Sequence, residues 1–244
     1  MKPSAWTLRA LLVLLAPVLL AQGRHTRAVT PRLPEPPGPR TGRVGQGPVL
    51  RLLIAGDSAA AGVGASHQHS ALSGRLADSL APHFDLHWQL IAQTGYTTRD
   101  LLQRLAQQPA QSFDAVVLSM GVNDVTAPLR THAWLAQQRE LVGLIRQRFG
   151  AHHLVLTRVP PMHRFTALPQ PLRQLLGWRA QGFNEALAAA LCAWPEAAGC
   201  ELLHVTPPTT PDALATDGFH PGEASYRLWA DAVAQCVKAS WGRR

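Results

Sequence analysis

From residue 49 onward, short unbroken apolar runs alternate with longer amphipathic stretches, and this pattern constrains the fold more than any other feature of the chain. The runs at 49–55, 86–92, 113–120, 154–159 and 201–205 have the length of strands. They show little polar alternation, so both faces of the sheet they build must be covered. Between them, apolar residues recur at helical spacing: Leu72, Leu76 and Leu80 in 71–80, Leu101, Leu102 and Leu105 in 98–107, and Leu141, Leu144 and Ile145 in 134–149. Two more helices are expected at 171–193 and 224–240, and Pro160 with Pro161 stops the fourth strand. Strand and helix therefore alternate throughout. This predicts one doubly wound α/β domain over residues 49–241, a three-layer α/β/α sandwich on a mainly parallel five-stranded sheet. Sites in such sheets gather beyond the carboxyl ends of the strands.

Composition narrows the class. Of 244 residues, 46% are hydrophobic and 16% charged, which is enough apolar material for a core and excludes wholesale disorder. Three cysteines cannot make a disulfide scaffold, and no apolar run reaches the 18 residues of a standard membrane span. The net charge of +8 belongs to the ends: residues 49–242 carry 14 basic and 14 acidic side chains. A nucleic-acid reader needs a basic face on its folded part, so that class is set aside.

Lys2 and Arg9 precede a small, apolar segment at 10–21, interrupted by Pro17. That order reads as a signal peptide or short membrane anchor over residues 1–21, with a core helix as the plainer alternative. Residues 22–48 are rich in Pro, Gly and Arg and are expected to form an extended, mobile linker. Arg24, Arg27, Arg32, Arg40 and Arg43 follow the apolar run, with Glu35 the one acid before residue 49. Such a flank favours the cytoplasmic side and can touch anionic lipid headgroups. Export, tethering and an over-long start all fit these residues.

Four short blocks stand just after expected strands. They are Gly56-Asp57-Ser58, Gln93-Thr94-Gly95-Tyr96, Gly121-Val122-Asn123-Asp124 and Asp217-Gly218-Phe219-His220. Each alone has an ordinary structural reading: Ser58 as a helix cap, Asn123 as a turn residue, His220 as a helix-start histidine. Together, in this order, the set resembles the SGNH/GDSL hydrolase family over about residues 49–241. Ala59 departs from that pattern, since the family's name-giving leucine often stands there. The resemblance implies a flavodoxin-like sandwich, a serine nucleophile at Ser58, and Ser58, Gly95 and Asn123 as oxyanion donors.

The residue types agree with that chemistry. A serine hydroxyl is a poor nucleophile and needs a base within hydrogen-bond reach. His220 can accept the proton and return it. Asp217, three residues earlier, can orient the ring and stabilise the imidazolium. Gly95, without a Cβ, lets the backbone approach a substrate closely. Asp57 and Asp124 read as structural residues of their turns.

Other motifs are weaker. Gly62-Val63-Gly64 lacks the third glycine of a dinucleotide fingerprint, where His67 stands, and no Gly-Lys-Ser/Thr phosphate loop occurs. Two histidine pairs, His67 with His69 and His152 with His153, have no carboxylate or cysteine at ligand spacing. Cys192, Cys200 and His204 lack a fourth ligand, and a Cys192–Cys200 disulfide suits an exported chain better. No metal and no organic cofactor are expected. The apolar segment 160–176 reads equally as core packing or as a pocket wall, with Met162 and Phe165 as candidate substrate contacts. The expected activity is hydrolysis of carboxylic esters or thioesters, with a lipid-like or short acyl ester as substrate. A carbohydrate O-acetylesterase, an acyltransferase and a catalytically silent binding protein are the rivals.

Overall fold

Strand β2 (Val49–Gly56) shows how the layers arise. Alternate side chains of a strand leave on opposite faces. Leu50, Leu52 and Ile54 enter one apolar cluster, and Leu53 and Ala55 enter a second. All five are almost fully buried, so the strand is covered on both sides and reads as continuous apolar sequence.

The computed structural model describes residues 13–242. Beyond β2, its strands are β1 (Thr41–Val44), β3 (Asp85–Ala92), β4 (Ala115–Ser119), β5 (His153–Thr157) and β6 (Cys200–Leu203). They form one six-stranded sheet in the order β1-β3-β2-β4-β5-β6. The five strands expected from sequence are parallel, and β1 is added antiparallel to β3, with Thr41 opposite Gln89 and Val44 opposite Leu86.

Helices α3 (Leu72–Leu80) and α8 (Glu223–Trp241) cover the first face. Helices α4 (Thr98–Ala106), α6 (Thr131–Phe149) and α7 (Leu172–Ala193) cover the other. Helix α4 begins with a reciprocal capping box between Thr97 and Asp100. Two helices of one turn, α2 (Ser58–Ala61) and α5 (Val122–Thr126), open directly at the carboxyl ends of β2 and β4. The three-layer α/β/α expectation therefore holds, with one strand more than expected.

That extra strand corrects the reading of residues 22–48 as an extended, mobile linker. Helix α1 (Ala16–Val29) runs across the boundary expected at residue 21, with Pro17 in its first turn, where the missing N–H costs nothing. The Gln22 side chain donates to the Gln170 carbonyl at 2.6 Å and accepts from the Leu172 N–H at 3.2 Å, which satisfies an orphan donor at the start of α7. In β1, Arg43 forms a two-point ion pair with Asp85 at 2.8 and 2.7 Å. A segment can be fixed by backbone pairing and side-chain hydrogen bonds without contributing to a core, so low apolar content did not report its order.

Residues 1–12, most of the signal or anchor segment, lie outside the described residues. Among the described residues no helix is long and apolar enough to cross a membrane. No disulfide joins Cys192 to Cys200; Cys192 is exposed, and Cys200 Sγ accepts from Arg146 Nη2 at 3.8 Å.

Candidate active site

The four sequence blocks meet at the carboxyl edge of the sheet. Ser58 opens α2 directly after β2, and the Asp57 carboxylate caps that helix by accepting from Ala59 N–H at 3.0 Å. His220 lies just before α8, on the turn that begins at Asp217. One Asp217 oxygen accepts from the Phe219 and His220 backbone N–H groups, each at 3.0 Å. The other lies 2.5 Å from His220 Nδ1.

A carboxylate can only accept, so Nδ1 carries the ring proton and Nε2 presents its lone pair. That lone pair faces Ser58 Oγ at 3.0 Å. Hydroxyl, imidazole and carboxylate, up to 162 residues apart, thus form one hydrogen-bonded line. Burial works to raise the Asp217 pKa, but the bonds from the His220 ring and the two backbone N–H groups outweigh it, and the net shift is downward. The group therefore stays ionised opposite the ring. Phe219 packs edge-on against the His220 ring at 5.3 Å and against Phe165 at 4.8 Å, which limits the motion of the imidazole.

The expected oxyanion donors lie on neighbouring strand ends. Gly95 occupies the turn Gln93–Tyr96 with φ +88°, a backbone conformation that strains any residue with a Cβ. Nothing lies within 4 Å of where a Cβ would stand. The Asn123 side-chain amide donates one N–H to the Tyr96 carbonyl at 2.9 Å, leaving its second N–H for another acceptor. Next to it, buried Asp124 accepts from Thr98 N–H, 3.2 Å to each oxygen, and from Thr98 Oγ1 at 2.9 Å. Gln138 Nε2 in turn donates to that hydroxyl at 2.9 Å. Asp124 thus ties the β4 loop to the start of α4, the structural part its turn position implied. Burial pushes its pKa up, offset in part by the Thr98 bonds.

Burial pushes the Asp57 carboxyl up from 3.8 to about 7, against the opposing pull of the Ala59 N–H and the His220 ring. An acid whose folded pKa lies above its unfolded value favours folding below pH 4, and this contribution is lost as pH rises from about 4 to 7. Asn at this position can still accept from Ala59 N–H but has no charge to bury. Asp57→Asn should therefore flatten the decline in stability over that interval and be more stable than wild type at pH 8 by a few kcal/mol. Urea melts at pH 5 and pH 8 measure this, and equal differences at the two pH values would refute it.

A cavity of about 580 Å³ opens on Ser58 and His220. Its apolar wall comes from Met120, Val159, Phe165, Leu214, Phe219 and Trp229, and Arg158, Arg164 and Glu185 contribute charge. Of the two expected substrate contacts, Phe165 lines the cavity. Met162 does not: it is fully buried, in the cluster shared with α6 and α7. Its neighbours Pro160, Pro161, His163 and Arg164 form the wall instead, because the 3-10 turn Met162–Arg164 points Met162 inward. Among the described residues no group of three His, Cys, Asp or Glu side chains is placed to hold a metal ion.

Glu35, which the sequence did not mark, accepts from Thr94 beside Gly95. Its one signal was that it is a lone acid among arginines.

The protein resembles known proteins in sequence and in fold. It is 29% identical over 240 residues to the GDSL-like esterase Rv1075c of Mycobacterium tuberculosis, covering 88% of this chain and 74% of that protein. In fold it is similar to a carbohydrate esterase family 2 enzyme with a carbohydrate-binding domain from Corynascus thermopiles (Myceliophthora fergusii). That similarity has a TM-score of 0.63 at 18% identity, over 86% of this chain and 69% of the other. It is also similar to TesA, with a TM-score of 0.59 at 20% identity, over 78% of this chain and 98% of the other. The family model for GDSL-like lipases and acylhydrolases matches residues 54–228, which span every block of the site, and the chain belongs to that family.

Proposed function

We propose that the protein hydrolyses carboxylic esters or thioesters through an acyl-enzyme on Ser58. The observation that carries this reading is the continuous line from Ser58 Oγ through His220 to Asp217, at 3.0 and 2.5 Å. In the first half-reaction Ser58 Oγ attacks the acyl carbonyl carbon and His220 Nε2 takes the hydroxyl proton. The negative oxygen of the tetrahedral intermediate faces the Ser58 and Gly95 N–H groups and the second N–H of Asn123. The carbon–oxygen or carbon–sulfur bond to the leaving group then breaks. The leaving group takes the proton from His220, and the acyl group remains on Ser58. In the second half-reaction water gives a proton to His220 and attacks the acyl carbon. The acid departs, and Ser58 recovers its proton.

The apolar wall of the cavity supports an acyl chain longer than acetyl. A p-nitrophenyl ester series should therefore show kcat/KM rising from acetyl towards butyryl and hexanoyl, since each buried methylene is worth about 0.8 kcal/mol. Sharp preference for acetyl would instead favour the O-acetylesterase reading, which the likeness to a carbohydrate esterase supports. The direct test is labelling of intact protein by a fluorophosphonate, followed by peptide mapping. The label is expected on Ser58, and a label elsewhere would overturn the assignment.

A further inference from the structure

The turn that carries Gly95 has little packing of its own. Gln93, Thr94 and Gly95 are all exposed, and no atom presses on the open side of Gly95. The ends of the turn are held by Gln93 N–H on the Gly56 carbonyl at 3.3 Å, by Asn123 on the Tyr96 carbonyl and by Tyr96 packing against the core, while its exposed middle is held from residues 35–40, the stretch that composition marked as a mobile linker. The Glu35 carboxylate accepts from Thr94 N–H at 2.7 Å and from Thr94 Oγ1 at 2.8 Å. Its other oxygen pairs with Arg40 Nη1 at 2.8 Å, and Arg40 Nη2 donates to the Ala92 carbonyl at 2.5 Å. The carboxylate therefore bridges the turn and the end of β3. Burial works to raise the pKa of Glu35, but the Thr94 and Arg40 bonds prevail and keep it below the ordinary range.

The same stretch also reaches the serine side of the site. The Pro37 carbonyl accepts from Gln68 N–H at 2.9 Å, and Gln68 Nε2 donates to the Pro36 and Ala61 carbonyls at 3.4 and 2.8 Å. Ala61 is the last residue of the one-turn helix that begins at Ser58. Gly62 follows, and Pro36 packs so closely there that a Cβ on Gly62 would come within 3.0 Å of it. One stretch of six residues thus touches the supports of two of the three expected oxyanion donors.

We infer that residues 35–40 are a strap that sets the oxyanion hole, with Glu35 as the positioning residue that holds the Gly95 N–H in line with the Ser58 N–H. This rests on the acyl-Ser58 reading above. Glu35 touches no substrate; it acts through Thr94 and the turn. Charge-assisted hydrogen bonds are strong enough for this task, and small displacements of a catalytic donor are costly.

The test uses the full chain and one ester substrate. Glu35→Ala should lower kcat about 10- to 100-fold and leave KM within about threefold of wild type, a part of the loss seen when a donor is removed outright. The inhibition constant of a trifluoromethyl ketone, whose adduct carries the oxyanion, should rise in parallel with the loss in kcat. A role confined to folding would lower the melting temperature and move neither quantity per labelled active site. Glu35→Gln keeps an acceptor for Thr94 and should restore kcat to within about fivefold. Thr94→Val, which removes the hydroxyl contact alone, should fall between the two and serves if Glu35→Ala does not fold. Arg43→Ala breaks the ion pair to Asp85 on the same sheet edge and should leave kcat within about twofold.

Unchanged kcat and inhibition constant in Glu35→Ala, with wild type labelled on Ser58, would overturn the strap alone. An equal kcat loss in Arg43→Ala would also overturn it, because tethering of the segment would then be the whole effect. Wild type that is neither labelled nor active would remove the acyl-enzyme reading and the strap with it.

Discussion

Ser58→Ala should abolish ester turnover, with kcat falling about 10⁴- to 10⁶-fold, and should remove fluorophosphonate labelling altogether. The change deletes one oxygen at the half-exposed start of α2, whose cap is supplied by Asp57, so the fold should survive. A melting temperature within a few degrees of wild type, measured on the same preparation, separates lost chemistry from lost structure. The cavity is unaltered, so substrate should still bind, and a non-hydrolysable ether analogue should bind with wild-type affinity. Turnover that survives this substitution would require a different nucleophile and would overturn the assignment of Ser58.

Asp217→Asn should lower kcat by about 10⁴ while sparing the fold. The amide oxygen can still accept from the Phe219 and His220 N–H groups, so the turn persists. The side-chain contact to Nδ1 changes sense. An amide N–H opposite Nδ1 draws the ring proton to Nε2, and the lone pair that faces Ser58 is lost. Labelling of Ser58 should slow in the same proportion as kcat. A loss below tenfold would mean that packing against Phe219 orients the imidazole without the acid. The downward-shifted acid also favours folding above the ordinary carboxylate range, and that contribution is lost as pH falls through its folded pKa. The variant should therefore show a flatter stability profile in acid.

The strands of the parallel sheet were legible because burial on both faces leaves no room for polar alternation. Leu52, Ile54 and their neighbours in β2 are the plainest case. The site was legible for a different reason. Each block joins a strand end to a residue type that chemistry restricts, and the fold brings strand ends together. Helix ends were harder: α6 starts at Thr131, three residues before the start expected at 134. Met162 was misplaced because apolarity alone does not distinguish a cavity wall from the layer behind it. Its 3-10 turn decides which way it points, and no periodicity announces a turn of three residues. β1 and the contact of Glu35 with Thr94 were invisible, since both depend on partners more than 40 residues away and on groups that any polar segment contains.

β1 carries a consequence for any shortened form of the protein. In the intact chain it occupies the outer hydrogen-bonding row of β3, and it is short, with an arginine and a glycine among its four residues, as terminal strands that resist further pairing tend to be. A version that starts at residue 49 would bare that row along Leu86–Gln89 and the Leu90 N–H that the Arg40 carbonyl accepts from. Such an unpaired margin invites self-association into aggregates. Insolubility of that version would then reflect an uncovered edge rather than a failure of the sandwich to form.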